Sequence, residues 1–70
     1  MSEIIFAVEE APDGGYTAQA LGHSIFTEAD TFEELREMAR DAVRTHFDEG
    51  DPDRPLTIRL HLVRDELIPA

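Results

Sequence analysis

Cysteine is absent from this chain, which excludes a disulfide staple and any thiolate metal site. Lysine is absent as well. The six basic residues are all arginines, against sixteen acids, for a formal charge of −10. Binding to a phosphate backbone draws on clustered Lys and Arg, whereas Arg36, Arg40, Arg44, Arg54, Arg59 and Arg64 are mostly interleaved with acids. The balance predicts no direct nucleic-acid partner and makes a small basic protein the electrostatically complementary one. No apolar run approaches the roughly 18 residues of a membrane helix, so no membrane partner is expected. Met1-Ser2-Glu3-Ile4-Ile5-Phe6 has neither a basic n-region nor a cleavage site, which predicts no signal peptide and a cytoplasmic location. The lack of cysteine fits that location.

What is present must fit in 70 residues, treated as a single domain over residues 1–70. A core this small is marginal, and with no covalent staple the remaining source of stability is association, so a homodimer or higher oligomer is expected.

Residues 3–9 alternate as a strand, with Ile4, Phe6 and Val8 on one face and Ile5 and Ala7 on the other. Ala11-Pro12-Asp13-Gly14-Gly15 is a turn. Residues 16–21 form a second strand, antiparallel to the first, Gly22-His23 a reversal, and residues 24–28 a third strand. Thr31 is an N-cap, with Glu34 its capping-box partner; Asp30 with Glu33 offers a register one residue earlier. A helix over about 31–49 follows. Its apolar stripe is Phe32, Leu35, Met38, Ala39, Ala42, Val43, His46 and Phe47, and Gly50 is its stop. After an acidic loop, Asp48 to Pro55, residues 56–63 alternate again, with Leu56, Ile58, Leu60 and Leu62 on one face.

The expected architecture is α+β in the order β-β-β-α-β: a small, mainly antiparallel sheet of three to four strands, with one helix on one face. The sheet's other face then carries Ile5, Ala7, Thr17, Gln19, Leu21, Ile25, Thr27, His61 and Val63, depending on register. This set is too apolar for a wet face and too polar for a deep core, a composition that suits contact with another subunit. Ile5, Ala7, Leu21, Ile25, His61 and Val63 are the expected interface residues.

Asp13-Gly14-Gly15-Tyr16, the strands after it and the helix start Asp30-Thr31-Phe32-Glu33-Glu34 resemble the small HicB-like domain, an antitoxin-type fold similar to a cut-down ribonuclease H. The motif match covers roughly residues 13–47, and the element order extends it over nearly the whole chain. Leu21-Gly22-His23 stands where the family usually has a Pro-Gly-Cys turn. Full antitoxins of this kind carry a further DNA-binding segment, whereas the sequence here resembles a lone domain. The acidic composition and the lack of a catalytic constellation point to a non-catalytic, homo-oligomeric HicB-like interaction module, related to antitoxins but not expected to bind DNA.

The ribonuclease H likeness directs attention to carboxylates near strand ends, Glu9, Glu28, Asp30 and Asp65, because hydrolysis of that type needs several of them converging on metal. Solvated or helix-capping roles account for these acids without metal. His23, His46 and His61 show no ligand spacing and no pairing with a nucleophile. No phosphate loop, dinucleotide fingerprint or hydrolase elbow is present. No catalytic residue, metal ligand or cofactor is assigned. Two other functions stay open: an accessory subunit of a larger enzyme complex, and a small metal-dependent nuclease.

Overall fold

The computed structural model describes residues 2–70. Strands β1 (Glu3–Glu10), β2 (Tyr16–Ala20) and β3 (Phe26–Ala29) precede helix α1 (Phe32–His46), and β4 (Thr57–Val63) follows it. They form one four-stranded sheet in the order β3-β2-β1-β4. β1–β2 and β2–β3 are antiparallel, while β1–β4 is parallel. The fold is α+β with the expected element order. The chain passes from the β3 edge over one face, as α1, to the opposite edge at β4. The two edges run parallel to each other, so the crossover needs a long connection, here a helix.

The alternation in β1 sets the core. Ile4, Phe6 and Val8 point to the helix side and are nearly inaccessible. Parallel register places Ile58 beside Ile4 and Leu60 beside Phe6 on that side. On β2 the inward residues are Ala18 and Ala20, small side chains that let the helix approach. α1 answers with Leu35, Ala39 and Val43. Phe6, Leu35 and Val8 are the largest fully buried side chains, each contributing about 1.5–3 kcal/mol on burial.

Local signals explain the helix start. Thr31 is extended (φ −126°, ψ 158°), and its hydroxyl accepts from the Glu34 N–H at 3.1 Å. The Thr31 register prevails over the one at Asp30. Glu33 and Glu34 occupy the first turn, where carboxylates complement the helix dipole. The helix stops earlier than the expected residue 49. Phe47 turns extended (φ −111°, ψ 131°) while its N–H still reaches the Val43 carbonyl, and its ring enters the core at 6% exposure. Burying Phe47 ends the helix; Gly50 lies in the turn beyond it, where the Asp51 N–H donates to the Asp48 carbonyl. Met38 and His46, expected on the apolar stripe, are exposed on its flank.

The third strand begins two residues later than expected. After Gly22 (φ +82°) the Ile25 carbonyl accepts from the Ala20 N–H at 2.9 Å, so Leu21 to Ile25 form the bend and pairing resumes at Phe26. The inward set is therefore Ile25 and Thr27, at 6% and 7% exposure, and Phe26 points outward. Ile25 is a core residue, not an interface one. Gly15 sits where β3 passes close by: a Cβ there would lie 3.1 Å from the Ala29 carbonyl oxygen. Leu56, expected on the buried face, precedes β4 and is exposed.

α1 lies mainly over β3 and β2 and touches β4 least. Ile58 and Leu60 are consequently only half-buried, and Leu62 is exposed.

Candidate functional site

Among the described residues no element covers the face of the sheet away from α1. Strand pairing arranges its side chains in rows. Phe26 on β3 opposes Gln19 on β2, which opposes Ala7 on β1, which lies beside His61 on β4. One row further, Glu28, Thr17, Glu9 and Val63 follow the same order. On the other side Ile5 is beside Arg59, and the Leu21 N–H donates to the Ile5 carbonyl at 2.8 Å, carrying Leu21 into that row.

Large apolar groups stand open here: Phe26 is 61% exposed, Leu21 58% and Val63 50%. Ile5, Ala7 and Thr17 are half-buried by their own neighbours, while Gln19 and His61 are exposed. The expected residues Ile5, Ala7, Leu21, His61 and Val63 thus share the face, Ile25 leaves it, and Phe26 joins it. Sequence reading missed Phe26 because it set Ile25 in phase with Leu21, whereas the pairing of Phe26 with Gln19 turns Phe26 outward.

Charge sits at the margins. Arg59 grips Glu3 with two hydrogen bonds, Nε to Oε1 and Nη2 to Oε2, each 3.0 Å. This forked contact holds the Glu3 carboxyl below its ordinary value and raises the Arg59 guanidinium. Arg64 pairs with Glu10 at 3.2 Å at the far end. Both local cations are thereby matched, and Glu9 and Glu28 leave the rim acidic.

The carboxylates considered for metal chemistry divide into two places. Glu28 and Asp30 line a cleft with Asp13, Tyr16 and Glu34. Glu9 and Asp65 lie with Glu10 and Arg64 at another. Among the described residues no three His, Asp or Glu side chains converge as metal ligands. His23 and His46 pack edge-on around Phe47, with ring centroids 5.3 and 4.9 Å from it. Tyr16 packs edge-on against Phe32 at 5.5 Å. Among the described residues no helix is long and apolar enough to cross a membrane.

The molecule is thus a one-helix α+β unit with an uncovered, partly apolar sheet face. It is 65% identical over 48 residues to a UPF0150 protein of Archaeoglobus fulgidus, covering 69% of this chain and 71% of the relative. It is 56% identical over 50 residues to a UPF0150 protein of Thermotoga maritima, covering 71% of each chain. The chain belongs to the UPF0150 family. Neither relative's name states an activity. No family model and no solved structure matches the chain.

Proposed function

We propose that this chain is a non-catalytic, HicB-like protein-interaction module that works as a homo-oligomer through its open sheet face. The observation that carries the reading is the row structure of that face, with Phe26, Leu21 and Val63 half or more exposed around a small centre at Ala7. Large apolar side chains left open among polar ones on a sheet face suit an interface, and a two-fold contact requires only that the same face be complementary to itself. The β-β-β-α-β order and the capped helix start support the HicB-like part of the reading.

A second copy is the first occupant. The net charge of −10 opposes approach of identical subunits, so association tightens as salt screens it. The same charge makes a small basic protein a complementary partner for the assembled form. Sedimentation of the wild type beside Phe26→Asp and Val63→Asp tests the reading. Both variants remain folded and shift toward the monomer. Association unchanged in both would remove the sheet face as the interface.

A further inference from the structure

We infer that residues 65–68 of one copy dock into the groove between α1 and β4 of a second copy, and that the exchange is reciprocal. This goes beyond the sheet-face reading and rests on different residues. Because α1 leans toward β3, it leaves a groove of about 320 Å³ on the β4 side, lined by Phe32, Ala39, Ile58 and Leu60 with Arg36 and Arg40 at its rim. The Arg40 side chain is engaged by Glu37 at 3.0 Å. The Arg36 guanidinium lies 5.7 Å from the centre of the Phe32 ring, a cation over the apolar floor.

The segment after β4 has the complementary chemistry. Asp65 and Glu66 are followed directly by Leu67 and Ile68. Leu67 is 97% exposed and Ile68 78% exposed. An adjacent apolar pair left that bare costs free energy unless something covers it. The pair fits the apolar floor, and the preceding acids fall at the cationic rim.

A second copy is a better occupant than the chain's own segment. The molecule measures 53 × 21 × 18 Å, with a radius of gyration of 13.6 Å, whereas a compact chain of this length has about 11 Å. Arg64 is tied to Glu10, the last residue of β1, so the segment leaves from the end of the sheet. Reaching out from one body and offering a groove on the other side of the same strand is a geometry that two copies close symmetrically. Two such contacts form together, and the second benefits from the effective concentration set by the first.

The absence of native cysteine makes disulfide trapping specific. Arg40→Cys and Ile68→Cys are made in separate full-length chains, both at exposed positions, then mixed under mild oxidation. A covalent heterodimer forms faster than with Glu49→Cys, an exposed loop control, in place of Arg40→Cys. Adding Leu67→Asp to the Ile68→Cys chain lowers the yield about tenfold or more. Phe26→Asp, which strikes the open sheet face, leaves the cross-link in place, so this contact and the sheet-face contact fail independently. Heterodimer no faster than the loop control would overturn the inference. So would a double variant, Arg40→Cys with Ile68→Cys, that closes within one chain and stays monomeric.

Discussion

Ile25 and Phe26 are sequence neighbours with opposite environments, and replacing each by alanine separates folding from association. Ile25 is 6% exposed, so Ile25→Ala removes buried atoms and leaves a cavity, at a cost of about 2–4 kcal/mol. A 70-residue domain has only about 3–10 kcal/mol in total, so this variant unfolds at visibly lower urea at every protein concentration. Phe26 is 61% exposed. With about 200 Å² for a phenylalanine side chain, roughly 120 Å² awaits cover, an upper gain of about 3 kcal/mol per subunit on burial. Phe26→Ala therefore weakens self-association by about a hundredfold or more, while the unfolding free energy of the diluted monomer changes by less than about 0.5 kcal/mol. Urea melts at two protein concentrations, with sedimentation of both variants, give the readings. If Phe26→Ala destabilised the dilute monomer as much as Ile25→Ala, the phase assigned to β3 would be wrong. If it left association untouched, the assigned role of Phe26 would be wrong.

Thr31→Ala removes the acceptor for the Glu34 N–H and costs about 1 kcal/mol, a fall in Tm of about 4–8 °C by circular dichroism. Glu3 is held below its ordinary value of 4.5, chiefly by its hydrogen bonds with Arg59. Its contribution to stability is full above the unfolded value and is lost as pH falls through the depressed folded one. Glu3→Gln therefore flattens the acid limb of stability below about pH 4.5 in urea melts, and a limb of unchanged slope counts against the contact. The charge of −10 without lysine predicts no measurable DNA or RNA affinity at physiological salt; a sub-micromolar anisotropy titration would refute it.

Much of this architecture is legible in short-range chemistry. The period-2 runs of β1 and β4 declare which side faces α1, and Thr31 with Glu34 marks the helix start. The parts that were misread depend on distant contacts. Phe47 stops α1 because its ring is wanted in the core, a demand that the stripe alone does not reveal. Gln19 pairs with Phe26, the register that a two-residue Gly22-His23 reversal gives, so Phe26 shares the outward face of Gln19; the expected face set Ile25 in phase with Leu21 instead, and in a strand an error of one residue exchanges the two faces. The parallel pairing of β4 with β1 joins residues more than fifty apart, beyond any local signal. Ile5, Ala7, His61 and Val63 lie on one sheet face as expected because they belong to the two strands whose alternation is plain in the sequence.

The sheet-face interface is tested most directly by backbone amide shifts followed over a dilution series, from about 1 mM to about 10 μM, spanning a weak homodimer. Concentration-dependent shifts are expected at Ile5, Ala7, Gln19, Leu21, Phe26, His61 and Val63, steeper at high salt, with Glu34, Asp41 and Thr45, exposed on α1 and outside the α1–β4 groove, unmoved. Shifts absent throughout the series, or confined to α1, would contradict that interface.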